Sequence, residues 1–164
     1  MKHIKTRDGL DILVDNEDYE ALIKYMWCKL GPVYAGYRVS SNGICKRVWM
    51  HRFIWESHNG NIPKGYEIDH VDGNPLNNRL ENLRLATRTQ NNINSCKRKN
   101  CSCKYKGVSW NKYHKKWEAY INIDKKRIKL GYFTSQYKAA RAYDEKAVEV
   151  YGEFARVNLP RINK

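Results

Sequence analysis

The stretch from Asn94 to Lys104, NSCKRKNCSCK, is polar, basic and, its three cysteines apart, without an apolar side chain. Such a run gives a core nothing to bury and reads as a linker. A chain of 164 residues suffices for one ordinary domain or two small ones, and this interruption favours two. The sequence divides into a segment 1–93, a basic linker 94–103 and a second module 104–164.

The first segment alternates short strand-like runs with helical ones. Ile12 to Val14 reads as a strand, and Asp18 to Trp27 as a helix with Tyr19, Leu22, Ile23 and Met26 at apolar spacing. Val33 to Val39 and Ile44 to Trp49 form a predicted hairpin through Ser40-Ser41-Asn42-Gly43. Met50 to Ser57 has helical periodicity, and a turn rich in Asn, Pro and Gly then leads to a strand ending at His70. A loop through Gly73 and Pro75, and a helix from about Thr87, complete a ββα pattern.

After the linker, Trp117, Ala119, Ile121 and Ile123 alternate with Lys116, Glu118, Tyr120 and Asn122, so one strand face is apolar and the other polar. Asp124 and Lys125 turn the chain into a strand with Ile128 and Leu130 on one face and Arg127 and Lys129 on the other. Thr134 is the expected N-cap of a covering helix with Ala139, Ala140, Tyr143, Ala147 and Val150 at helical spacing, ended by Gly152. The fold class is therefore α+β: a small β-rich N-terminal region leading into a ββα module, then a three-stranded antiparallel sheet packed on one helix.

Charge narrows the partner. Lys and Arg number 31 against 17 Asp and Glu, a net +14, and between Arg84 and Lys129 there are 14 basic residues against Glu118 and Asp124 alone. This is the electrostatic footprint of a nucleic-acid binder. No basic amphipathic helix, long apolar run or secretory leader is visible, which points away from a membrane and toward a cytosol. Five cysteines, an odd number, are expected as thiols rather than a disulfide framework. The C-x4-C-x-C run at Cys96, Cys101 and Cys103 lacks the four ligands and paired spacing of a structural zinc site, and no structural zinc is expected.

Metal-assisted phosphodiester hydrolysis requires hard oxygen ligands and a base that titrates near neutrality. Asp69 and Asn91 can supply the first and His70 the second. Adjacent strand residues point to opposite faces, so Asp69 and His70 converge only if the hairpin is distorted near Gly73. The run from Ile68 to Thr87, with Asp69-His70, Asp72-Gly73-Asn74, Asn77-Asn78 and Glu81-Asn82-Leu83-Arg84, closely resembles the HNH homing-endonuclease family, and Met50-His51-Arg52 resembles that family's lead-in. The resemblance implies a ββα-metal fold, His70 as general base, Asp69 as one metal ligand, Asn82 as a loop brace in the catalytic motif and Asn91 as the second ligand, with Asn92 as the alternative. It also implies Mg²⁺ or Mn²⁺ as cofactor and a phage or mobile element in a bacterial cytosol as the setting. Asn at the third motif position occurs in members that nick. His51 reads as a structural histidine behind the hairpin. Arg79, Arg84 and Arg88 read as phosphate contacts.

Lys104-Tyr105-Lys106-Gly107-Val108-Ser109-Trp110, Lys116-Trp117, Leu130-Gly131-Tyr132-Phe133, Ala139 to Asp144 and Val157-Asn158-Leu159-Pro160 together resemble the plant Apetala-type, ethylene-response-factor DNA-binding domain. In that family the sheet lies in the major groove, which implies Lys106, Ser109, Asn111, Tyr120, Asn122, Arg127 and Lys129 as DNA-facing positions. Several depart from the Arg, Glu and Trp of plant members, so the plant target does not transfer. Lys97, Arg98 and Lys99 in the linker are expected to follow the DNA backbone. The expected function is site-specific cleavage of double-stranded DNA with one metal and a His base, as a nick from a single active site, with no oligomer implied. The rival readings are a DNA-binding regulator with an inactive nuclease module, and an RNA-binding basic protein.

Overall fold

The computed structural model describes residues 1–31, 33–41, 44–96 and 103–160. They form two compact units, Met1–Thr89 and Gln90–Lys164. No helix among the described residues is long and apolar enough to cross a membrane.

The first unit opens with a hairpin of β1 (Lys2–Lys5) and β2 (Asp11–Val14), followed by α1 (Asn16–Leu22). The helix ends earlier than the spacing predicts. Leu22 is buried and the Trp27 indole Nε1 donates to its carbonyl, but Ile23 and Met26 are exposed. The chain turns at Tyr25 so that Trp27 enters the core, and that contact takes precedence over helical periodicity. Next comes an antiparallel sheet of β3 (Cys28–Leu30), β4 (Tyr34–Ser41) and β5 (Ile44–Trp49). Then α2 (Met50–Asn59) buries Met50 and Ile54. The hairpin β6 (Tyr66–His70) and β7 (Leu83–Thr87) leads into α3 (Arg88–Asn94), of which only Arg88 and Thr89 belong to this unit. Ile4, Ile12, Val14, Leu22, Trp27, Ala35, Met50, Ile54, Ile68 and Leu83 form one core.

β2 also anchors the loop that joins β6 to β7. Leu13 N donates to Leu76 O at 2.9 Å and Asn78 N to Leu13 O at 2.8 Å. Asp15 accepts from Arg79 Nε at 3.0 Å and from Leu80 N at 2.9 Å. The N-terminal strands thus hold in place a loop more than sixty residues later.

The second unit contains β8 (Val108–Asn111), β9 (Lys116–Ile123) and β10 (Lys126–Phe133), antiparallel in the order β10-β9-β8. Asp124 and Lys125, both at positive φ, make the tight turn between β9 and β10. α4 (Gln136–Tyr151) covers one face of the sheet: Ala139 and Ala140 pack with Val108 and Ala119, and Tyr143 and Ala147 with Ile121. The N-cap is Ser135 rather than Thr134, its hydroxyl accepting from Tyr137 N at 3.2 Å. Gly107 sits at φ 70°, with Tyr143 and the Tyr120 carbonyl so near that a Cβ would lie 2.0 Å from the ring. Only glycine fits both the conformation and the space. Asn158 ties the chain end to the start of the sheet: its Oδ1 accepts from Lys106 N at 2.6 Å and its Nδ2 donates to Lys106 O at 3.0 Å. Asp144 accepts from Asn158 N and Leu159 N.

Candidate active site and nucleic-acid face

β6 pairs regularly with β7 to its last residues, Asp69 opposite Arg84 and His70 opposite Leu83. The distortion expected near Gly73 is therefore absent from the ladder. Both side chains are buried, Asp69 at 5% exposure and His70 at 6%, and the Asp69 carboxylate is near enough to pull the His70 pKa upward, so the two groups come close without a break in the ladder. The strand stops there because Val71 N donates to Asn82 O and Gly73 N to His70 O, both at 2.8 Å.

Asp69 Oδ2 accepts from Arg84 Nε at 3.0 Å and Nη2 at 2.9 Å. Arg84 is thus engaged inside the unit rather than displayed as the phosphate contact its charge suggests. Arg79 is likewise paired, with Asp15 and with Glu81 at 2.6 Å. Arg88, at the start of α3, is exposed.

His70 Nε2 lies 3.3 Å from Asn78 Oδ1. Asn78 has no exposed surface, and its Nδ2 donates to Pro75 O at 3.2 Å, which fixes the amide with its oxygen toward the imidazole. An amide oxygen only accepts, so Nε2 carries the ring proton and Nδ1 is the basic nitrogen. Burial pushes the His70 pKa below its ordinary 6.5, against the upward pull of the Asn78 bond and the Asp72 and Asp69 carboxylates. The ring is therefore neutral at pH 7. Asn78 was visible in the sequence as part of Asn77-Asn78, but nothing there distinguishes the buried amide from its neighbour.

Asn82 braces the loop. Its Oδ1 accepts from Asp72 N at 3.0 Å, and its Nδ2 donates to Asp72 Oδ1 at 3.0 Å and to Asn77 O at 2.7 Å. Burial favours the neutral form of Asp72, but donors from Asn77, Asn74 N and Asn82 outweigh it and hold the carboxyl below its usual range. Behind His70 lies an aromatic group: His51 at 5.3 Å between ring centroids, Tyr34 at 6.2 Å, and Trp49 against both Tyr34 and His51. His51 keeps a little exposed area yet is densely surrounded. Burial, with His70 and Arg52 nearby, pushes its pKa down to about 3.

Asn91 lies on α3, half-buried, beside the exposed Asn92. Among the described residues no three His, Cys, Asp or Glu side chains gather as a metal cage. One carboxylate and one amide oxygen nevertheless suit a hard ion of the Mg²⁺ type, which keeps several waters and takes phosphate oxygens rather than filling a protein cage. Asp69 belongs to the first unit and Asn91 to the second; each is of the donor type that such an ion takes.

On the second unit, cross-strand register places Ser109 beside Glu118 and Tyr132, Tyr120 beside Lys129, and Asn122 beside Arg127, on the sheet face away from α4. Arg127 stacks on the Tyr120 ring at 3.6 Å, and Glu118 accepts from both Arg127 at 3.3 Å and Asn111 at 3.1 Å. Lys106 departs from the expected face. Its ammonium donates to the carbonyls of Asn92, Ile93 and Ser95 at the end of α3, and burial lowers its pKa to about 8. Trp110 is 44% exposed and meets Trp117 edge-on at 5.1 Å. Cys103 is a buried thiol whose sulfur accepts from Tyr105 N. Lys97, Arg98, Lys99 and Cys101 lie outside the described residues.

A family model described as HNH endonuclease matches residues 48–93, from the end of β5 into α3. Protein 3.8 of Escherichia phage T7 is 40% identical over 106 residues, covering 65% of this chain and 87% of that protein. An uncharacterized HNH endonuclease of Acanthamoeba polyphaga mimivirus is 36% identical over 92% of this chain and 75% of its own length. The C-terminal region is similar to dehydration-responsive element-binding protein 2C of Arabidopsis thaliana, 47% identical over 62 residues, which are 37% of this chain and 18% of that protein.

Proposed function

We infer from the HNH endonuclease family, to which this chain belongs, that it is a site-specific, homing-type DNA endonuclease that nicks duplex DNA with one divalent ion, His70 serving as general base. The observation that carries the reading is the environment of His70: a buried, neutral imidazole with its proton held at Nε2 by Asn78. A general base must be unprotonated at the working pH and oriented before substrate arrives.

In this reading His70 Nδ1 takes a proton from the attacking water as its oxygen closes on phosphorus. Asn78 keeps the opposite nitrogen protonated, and Asn82 holds the loop that ends the strand. Asp69 and Asn91 would hold Mg²⁺ or Mn²⁺, which would supply Lewis-acid charge to the reacting phosphodiester. Arg84 keeps the Asp69 carboxylate oriented at the strand end. Ser109, Asn111, Tyr120, Asn122, Arg127 and Lys129 present the DNA-facing side of the second unit, with Arg88, Lys97, Arg98 and Lys99 adding phosphate contacts. The likeness to a plant element-binding protein and the net charge of +14 support duplex DNA as the partner. A phage-encoded protein acting in a bacterial cytosol is consistent with the phage and viral relatives.

The test is incubation with supercoiled plasmid and Mg²⁺ or Mn²⁺, with and without chelator. Open circles that appear only with metal are expected. Linear product from single encounters contradicts nicking, cleavage undiminished by chelator contradicts the metal, and intact plasmid in every metal contradicts the nuclease reading.

A further inference from the structure

β4 and β5 are paired from Gly36 opposite Trp49 to Ser41 opposite Ile44, but the core reaches only the base of this hairpin. Ala35 and Tyr37 pack into it. From Arg38 to Ser40 and from Ile44 to Arg47 every residue is exposed, Val39 at 41% and Ile44 at 61%. A two-stranded ribbon that buries neither face is marginal in water. Arg38 stands directly opposite Arg47, a like-charge pair that lowers the stability of the ribbon further. Among the described residues neither guanidinium has a carboxylate partner.

Antiparallel partners share a face, so Arg38, Arg47 and Trp49 lie on one side of the ribbon, with Lys46 on the other. Trp49 and Tyr34 are 5.9 Å apart, and Tyr34 meets both His51 and His70. One face therefore runs from two unpaired guanidiniums through aromatic rings to the imidazole at the strand end of β6.

We propose that the β4–β5 ribbon is a docking surface for duplex DNA on one flank of the scissile bond, with Arg38 and Arg47 bonding phosphates and the ribbon lying along a groove. A major groove about 12 Å wide admits a two-stranded ribbon. Charge complementarity selects a polyanion, and guanidinium is the better fork for phosphate oxygens. A partner that neutralises both arginines also removes the repulsion within the ribbon, so binding stabilises the element that binds. The proposal rests on the nuclease reading above, because that reading makes the end of the aromatic run a cleavage site.

The experiment compares the full chain with R38Q/R47Q on a duplex containing a position that the wild-type protein cuts. Affinity is measured over a salt series in chelator, with hydroxyl-radical footprints. The expected result is a salt slope smaller by about 1.8, two contacts at ~0.9 each. Protection should be lost on one flank of the cut position, and the thermal midpoint should stay unchanged or rise. An unchanged slope, or a lower midpoint with protection lost evenly along the duplex, overturns the proposal. Wild-type protein that neither cuts nor binds duplex would sink the nuclease reading and this proposal together, whereas wild-type cutting with an unaltered R38Q/R47Q footprint sinks the ribbon alone.

Discussion

Asn78 and His51 surround the candidate base in different ways, and each yields a measurement. Asn78 spends its whole amide on His70 and Pro75 with no exposed surface. Asn78→Ala leaves the buried His70 Nε2–H donor and the Pro75 carbonyl acceptor without this partner, which should cost about 1–3 kcal/mol of stability. It should also lower kcat while leaving duplex affinity in place; unchanged kcat would show that Asn78 does not orient the base. His51 titrates at about 3 in the folded chain against ~6.5 unfolded. Between those values the unfolded chain binds more protons, so the stability that His51 contributes is complete above about pH 6.5 and is lost as pH falls toward 3. The loss approaches about 1.4 kcal/mol per pH unit. His51→Phe keeps the ring and removes the titration. Its urea midpoint should therefore fall less between pH 6.5 and 4.5 than that of the wild-type chain, and parallel curves would contradict the assignment.

At the scale of elements, strands were more legible than helix ends. Alternation in β9 and the Asp124-Lys125 turn are written in the residues themselves, and the structure follows them. α1 ends where the fold-back of Trp27 onto Leu22 decides, and α4 begins one residue later than expected because the local cap is made by Ser135 rather than Thr134, its hydroxyl accepting from Tyr137 N. The short helix α3 depends on a residue farther along the chain. Its last-turn carbonyls at Asn92 and Ile93 accept from Lys106, 14 and 13 residues away, which spacing alone reads as one more basic side chain on the sheet. A cation at a helix C-terminus in a partly buried setting contributes up to ~2 kcal/mol. Lys106→Met should speed amide hydrogen exchange near Ser95 by about 5- to 30-fold, with little change in the salt slope of DNA binding. A slope lower by ~0.9 with unchanged exchange would instead place Lys106 on a phosphate.

At the scale of the whole molecule, the apolar-poor run suggested two parts, whereas the two compact units divide between Thr89 and Gln90, inside α3. Asn94 is a buried helix residue and Cys103 a buried thiol, so both ends of that run belong to ordered structure. A truncation beginning at residue 102 would remove Lys106 from the end of α3 and is not a clean separation of cutting from binding. The Asp69-His70 pair stands out in the sequence through the family resemblance of the run from Ile68 to Thr87 around it, not through its own chemistry. The help it receives from Asp15 and Leu13 was not legible there, since those contacts join segments more than sixty residues apart, nor was that of Asn78, eight residues from His70, whose burial no residue type announces. The central claim is that His70 is the base for phosphodiester hydrolysis, and the direct test is plasmid cleavage by wild-type protein and His70→Ala at matched DNA occupancy. The account predicts a fall of on the order of 10²-fold or more in cleavage with nearly unchanged affinity for duplex; cleavage within a few-fold of wild type would contradict it.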